Sequence, residues 1–452
     1  MNSQADRDPL AQGIGRRLLL IELNEINFEV ARGYVEQRGL KNLDRLLHGC
    51  ARTTSSEQTY EQLEPWIQWV SAHSGMTAAE HGIFRLGDIV GSRVPQVFEE
   101  LEAQGYKVGC ISAMNAENRL RAPAYFIPDP WTATPSDSGF WSRALATAVS
   151  QAVNDNAGGR LTLASAMKLG LGLLRFASPR HYGLYWNLAR NSSGAPWRKA
   201  LFLDLFLHDL HLALYKQRQP HFSTLFLNAG AHIQHHYFHN IQGHGKQQAN
   251  PSWYVDPQAD PVGEMLTFYD QLLGECMALP DTDLIIATGL SQKPYDRLKY
   301  YWRLNNHADF LRMLGLSFSG VEPRMTRDFV VHCRSTDEAA RLTEDLQAVR
   351  VVGTGHALFG EIDNRGDSVF VTLTHPDDVP ESLEIEFAGR RWPLHQHVVF
   401  VAIKNGMHLA TGYAFFHGKA ADFAPAEGTH VSGLYHVIKA YFGIGGQKPL
   451  TA

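Results

Sequence analysis

The stretch that most restricts how this 452-residue chain can fold runs from Thr224 to Asn240. Thr224-Leu-Phe-Leu227 reads as a short buried strand and Asn228-Ala-Gly230 as the turn out of it. His232, His235, His236 and His239 then follow at the helical spacing i, i+3, i+4 and i+7. A strand that runs straight into a helix is the repeating unit of an α/β sheet. On that helix 232/236 and 235/239 each stand one turn apart, close enough to share a ligand. Imidazole is the commonest metal ligand near neutral pH, so the stretch is a candidate metal site at the carboxyl end of a strand. The plainer reading is a solvated helix start in a chain that has 22 histidines.

The rest of the chain repeats the strand–helix rhythm. Leu18-Leu-Leu-Ile-Glu-Leu23 is a buried parallel strand ending at Asn24-Glu25, and a helical pattern follows from Phe28 to Gly49. A polar-aromatic loop, Tyr60-Glu-Gln-Leu-Glu-Pro-Trp-Ile-Gln-Trp69, leads into a helix and Ser74-Gly-Met-Thr-Ala-Ala-Glu-His81-Gly82. A helix at 95–104 and a strand at 107–111 complete a βαβ unit. Residues 140–220 are amphipathic and helical, broken at 154–159 and 191–196, and read as an insertion or lid. A further buried strand begins at Asp283 and leads into a turn, Ser291-Gln-Lys-Pro294. The expected fold is α/β: a mostly parallel sheet with helices on both faces over 16–324 and 398–445, with a small α+β module at 325–397.

Composition excludes several classes. With 44% hydrophobic and 19% charged residues, a net charge of −5 and no dense basic run, the chain is an ordinary globular protein with no nucleic-acid footprint. Its four cysteines are far apart and form no C-x-x-C, so neither a zinc ribbon nor a disulfide framework is expected. The segment 1–15 is polar, unlike a secretory signal. The longest apolar run, 167–176, is interrupted by Lys168, Gly170, Gly172 and Arg175, so no membrane span is expected and a cytoplasmic location is the default.

The ordered segments resemble the alkaline phosphatase superfamily, in particular its type I phosphodiesterase/nucleotide pyrophosphatase branch. The resemblance rests on the first strand ending near acids, Ser74-Gly-x5-His81-Gly82, the strand leading into His235, the strand at 283–288, and Gly406-x-His408-x3-Gly412; it spans roughly residues 17–442. It implies two metal ions, usually zinc, around a Ser or Thr nucleophile. Carried over by position, Asn24 stands where the first ligand Asp belongs and Glu64 or Pro65 where the nucleophile belongs. Ala231 replaces another Asp, Gly289-Leu290 replace an Asp-His pair, and His235 and His408 are kept.

The replacements are polar at the strand ends: Glu22, Asn24, Glu25 and Asn27 after the first strand, Glu64 and Gln68 near the nucleophile position. Such ends are where open α/β sheets collect ligands. The expected site is mononuclear. His235 and His408 bind one divalent ion, zinc or else iron or manganese, with Asn24 as a further ligand and Glu25 or Glu64 as a carboxylate ligand or general base. Gln68, Arg85, His232, Ser291 and Lys293 are the candidate substrate-binding residues, the last two because turn amides hold anions. The expected activity is hydrolysis of a phosphate- or sulfate-ester-like small molecule or glycoconjugate by metal-activated water. Two alternatives stand beside it: a non-catalytic binding or scaffold protein that kept the fold, and a mononuclear metalloenzyme with non-hydrolytic chemistry.

Overall fold

The apolar run after Arg16 becomes the central strand of the computed structural model, which describes residues 17–154, 162–242, 248–324 and 327–445. The polar segment 1–15 and most of the break expected at 154–159 lie outside the described residues. In chain order the strands used below are β1 (Arg17–Leu23), β2 (Cys50–Ser55), β3 (Val108–Ile111), β4 (Tyr125–Ile127), β5 (Phe222–Leu227), β6 (Thr282–Ala287), β7 (Ser291–Leu304), β8 (Val398–Leu409) and β9 (Thr411–His417). Seven of them form one sheet in the order β2-β9-β6-β1-β5-β3-β4. Pairing is parallel from β6 through β1, β5 and β3 to β4, and only β9 runs against its neighbours β6 and β2.

A strand covered on both faces needs apolar side chains on both, which is why β1 lacks alternation; its buried acid, Glu22, lies 3.0 Å from His73 Nε2. Leu19, Ile21 and Leu23 belong to one core and Leu18 and Leu20 to the other, all at most 1% exposed. Each buried leucine contributes about 1.5–3 kcal/mol. The first face is covered by α1 (Phe28–Arg38); the second by α2 (Pro65–Ser74). The described residues of the 140–220 region include four α-helices: α3 (Phe140–Asn154), α4 (Leu163–Phe176), α5 (Tyr182–Arg190) and α6 (Arg198–Arg218). They are followed by α7 (Ala229–Tyr237) and α8 (Pro261–Met277). The single helix expected from 28 to 49 is divided, because Gly39 closes α1 at φ 63°, a left-handed cap that favours glycine. A second helix resumes at Lys41 and ends at Leu47.

The chain separates into two compact units, Met1–Pro294 with Gly406–Ala452, and Tyr295–Asn405. The module read at 325–397 lies inside the second. That unit holds a four-stranded antiparallel sheet of residues 320–323, 328–332, 359–364 and 368–373. Helix Thr336–Ala348 packs its Leu342 and Leu346 with Phe329, Val331, Val369 and Val371 of that sheet.

A buried ionic cluster joins the helical region to α8. His181 Nδ1 lies 2.7 Å from Asp209 Oδ1, and its Nε2 lies 2.8 Å from Glu275 Oε1; His208 Nε2 is 3.1 Å from Glu275 Oε2. The hydrogen bonds to Asp209 and Glu275 outweigh burial and raise His181 to about 9. A raised histidine adds stability below its unfolded value of about 6.5, and that stability is lost as pH climbs through about 9. Replacing Asp209→Asn removes the charged partner and is expected to cost about 2 kcal/mol at pH 6–7. The difference in melting temperature from wild type should shrink towards pH 10; a difference independent of pH would show that the pair is not ionised.

Candidate metal centre

Both parallel neighbours of β1 take hold of the chain as it leaves the strand. The Asn24 N–H donates to Leu227 O at the end of β5, and the Glu25 N–H donates to Thr288 O just after β6, each at 3.1 Å. Glu25 bends there with φ 62°, a left-handed conformation uncommon for a residue with a Cβ. Such strain persists only where the surroundings over-determine it. Here Gln234 of α7 does so: its Nε2 donates to Glu25 O at 2.8 Å and its Oε1 accepts from Asn27 N at 2.9 Å. Asn27 caps α1 by accepting from Glu29 N and Val30 N, so its place in the polar cluster is that of a helix cap.

The bend turns the Glu25 carboxylate, 2% exposed, towards two imidazoles. His235 Nε2, on the last turn of α7, is 3.0 Å from Glu25 Oε2. His408 Nε2, near the end of β8, is also 3.0 Å from it, and the two imidazole nitrogens are 3.3 Å apart. An ion held tetrahedrally by His and carboxylate ligands at about 2.0–2.2 Å spaces neighbouring donor atoms by about 3.3 Å. The triangle measured here, 3.0, 3.0 and 3.3 Å, matches one face of such a tetrahedron.

Hydrogen bonding behind the rings supports the same reading. His235 Nδ1 lies 3.2 Å from Gly406 O. A carbonyl oxygen can only accept, so Nδ1 carries a proton and Nε2 is the nitrogen turned to Glu25 and His408. Burial alone would raise the Glu25 carboxyl, but the attraction and hydrogen bonds of His408 and His235 outweigh it and hold the group well below the usual carboxylate range. The three residues fit a divalent ion.

Around the triangle the support is amide chemistry. Gln292, at the start of β7, donates Nε2 to Glu25 Oε2 at 2.5 Å and to Ala231 O at 3.1 Å. Asn24, expected as a ligand, makes three hydrogen bonds here. Its Oδ1 accepts from the Trp69 indole at 2.8 Å, while its Nδ2 donates to Glu25 Oε1 at 3.0 Å and to Asn228 Oδ1 at 2.8 Å. It presents N–H groups to the carboxylate and thereby orients it. Trp69 is fully buried, and a Cβ built on Gly289 would stand 3.2 Å from its ring, so the indole fills the strand ends where the Asp-His pair is replaced.

Glu64 occupies the N-cap position of α2 just before Pro65, and its side chain makes no cap bond. Its Oε2 lies 3.8 Å from His408 Nδ1, behind that ring, and the side chain is 32% exposed. The other expected residues are placed as follows. Gln68 is buried on α2 and donates to Gln62 O at 2.9 Å. Arg85 is exposed after the Ser74–Gly82 motif, and His232 is exposed with its ring 4.8 Å from that of His236. The anion-binding turn at 291–294 is corrected: β7 already begins at Ser291, whose buried hydroxyl donates to Thr411 O at 2.6 Å, while Lys293 is exposed.

Gln292 belongs to the segment 291–293 whose turn amides were expected to hold an anion; it sits instead at the start of a strand and turns its side chain to Glu25. Gly406 was missed. A Cβ there would collide with Gln292 Oε1 and stand 2.8 Å from Gln234 O. Gly406→Ala is therefore expected to cost about 1–3 kcal/mol and to loosen the centre by displacing Gln292. Thermal unfolding together with a metal titration of the variant checks this; wild-type values in both would refute it.

The cavity of about 480 Å³ bounded by Arg38, Leu184, Arg198, Asp260, Glu264 and Phe268 lies on the α1–α8 side of the same unit and includes none of the three converging residues. Two of its cations, Arg38 and Arg198, are paired with Asp260 and Glu264.

No family model matches the chain, and no curated protein matches its sequence. Among solved structures it is similar to phosphonoacetate hydrolase from Sinorhizobium meliloti 1021, at 14% identity over 94% of this chain and 96% of that one, TM-score 0.43. Human ectonucleotide pyrophosphatase/phosphodiesterase 5 is 10% identical over 97% of both chains, TM-score 0.43. Thermus thermophilus alkaline phosphatase is 12% identical over 99% of this chain and 97% of that one, TM-score 0.43.

Proposed function

We propose that the chain is a metal-dependent hydrolase with one divalent ion held by Glu25, His235 and His408. It would act on a phosphate- or sulfate-ester-like small molecule or glycoconjugate, with water as nucleophile. The observation that carries this reading is the triangle of one carboxylate oxygen and two imidazole nitrogens, sized for an ion at about 2 Å. The substrate class follows the sequence resemblance. When bound, a divalent ion supplies Lewis-acid polarisation of an ester oxygen and a lowered pKa for water.

The protein's own groups do the rest. Gln292 and Asn24 fix the Glu25 carboxylate from two sides. Gly406 O fixes the His235 ring. Glu25 is enclosed by both imidazoles, which leaves Glu64, half-buried and 3.8 Å from His408 Nδ1, as the carboxylate for the base, reaching the attacking water through a bridging water. No serine or threonine hydroxyl stands at 64 or 65, consistent with direct attack and no covalent intermediate.

The same donor set favours a second reading. Two histidines and a carboxylate on one face with open positions opposite is also the ligand set of iron(II) sites with non-hydrolytic chemistry. Metal analysis followed by assays on aryl phosphate mono- and diesters and an aryl sulfate, each with zinc, manganese and iron(II), separates them. Metal-dependent ester turnover supports the hydrolase. Tight iron with no turnover of any ester refutes it.

A further inference from the structure

The helical region 140–220 carries a surface that the metal centre does not use. On α4, Leu163, Met167, Leu171 and Leu174 are 55–81% exposed. Their spacings of four, four and three residues, at about 100° per residue, place them within about 80° of one another on one face. Ser165, Gly172 and Phe176 are the buried residues of this helix and lie on the other side. The next helix, α5, exposes Tyr182 at 55% and Trp186 at 69%. Scattered exposed leucines need no explanation, but a full-length stripe with aromatic residues following it does.

The charge of the region says what it faces. Between Asp137 and Asp204 the sequence has eight lysines and arginines and one acid, Asp155, in a chain whose net charge is −5. Arg198 pairs with Glu264. Among the described residues, Lys168, Arg175, Arg180 and Arg190 have no ion-pair partner, and three of these four are exposed. Lys168 and Arg175 both lie along one edge of the apolar stripe on α4 itself, about 40–140° round the helix from its leucines.

We propose that α4 and α5 dock the protein on an anionic lipid surface. The stripe lies in the headgroup–acyl boundary and the unpaired cations meet lipid phosphates. Leucine and methionine along one face of α4 with lysine and arginine beside them is the pattern of a helix that lies in the interface plane, and tryptophan and tyrosine of the next helix are residues enriched at such interfaces. The long basic side chains reach past the apolar stripe to the headgroups. Alpha4 has 14 residues, short of the ~20 needed to span a bilayer, and no helix among the described residues is long and apolar enough to cross a membrane. The surface supports attachment, not insertion.

The test is sedimentation of the full-length protein with extruded vesicles of phosphatidylcholine, alone or with about 30% phosphatidylserine. Binding is expected to the phosphatidylserine vesicles and to weaken at about 0.5 M salt, where exposed charges are screened. Leu171→Glu/Leu174→Glu and Lys168→Glu/Arg175→Glu should each weaken it about tenfold or more. The first pair is exposed, so its melting temperature should stay at the wild-type value. No binding to the anionic vesicles, or binding that either double variant retains in full, overturns the proposal. So does light scattering that finds a wild-type dimer split by Leu171→Glu/Leu174→Glu, since that assigns the stripe to a second copy.

Discussion

Protein purified without a metal-binding tag is expected to carry about one tightly held divalent ion per chain, and the His235→Ala/His408→Ala variant none. The expectation rests on number and geometry. Three donor atoms converge at 3.0–3.3 Å, and two of them are imidazoles removed by this variant. Glu25 alone, buried at a strained bend, cannot hold an ion against water. Single variants should weaken binding and the double should abolish it, with ester turnover falling at least about 10³-fold. Inductively coupled plasma mass spectrometry reads the ion, and circular dichroism shows whether the fold survives. About two ions per chain would mean that a second set of donors exists. None, in folded protein challenged with zinc, manganese and iron(II), would remove the basis of the enzymatic reading and leave a binding or scaffold protein on the same fold.

Glu64→Gln is expected to lower kcat about 10²- to 10⁴-fold while the ion stays bound, the usual loss when a general base is removed. The substitution keeps size and polarity and takes away proton acceptance. Glu64 also stands 3.8 Å behind His408 Nδ1, where a carboxylate could merely orient the ring. An orienting carboxylate has a different signature: its loss weakens metal affinity about 10- to 100-fold and adding metal restores the rate. Measuring kcat at saturating metal separates the two. A rate that returns to wild type under those conditions refutes the assignment of Glu64 as base.

The local pattern of the chain was readable because it follows from short-range chemistry. A run with no alternation, Leu18–Leu23, reads as a strand covered on both faces, and β1 has one core on each side. His235, His408 and Glu25 could be named because each closes or follows a strand or motif. The turn at 291–294 was misread since a strand opening with Ser-Gln-Lys-Pro has the composition of a turn. Partners in three dimensions overrode that composition.

What the amino-acid sequence determined by itself was most of the strands and helices of the main unit, the mostly parallel sheet, and the strand ends where polar residues gather. Tertiary structure alone decided which of those residues meet. Helical spacing put four histidines near one another, but only docking of α7 against β1 selected His235 to face Glu25, with His232 left exposed. Docking also brought His408 to His235 across 173 residues of chain, and gave the Asn24 oxygen to Trp69. Periodicity records which residues share a face of one element. Which faces then come together depends on packing between elements distant in the chain, and no local pattern carries that information.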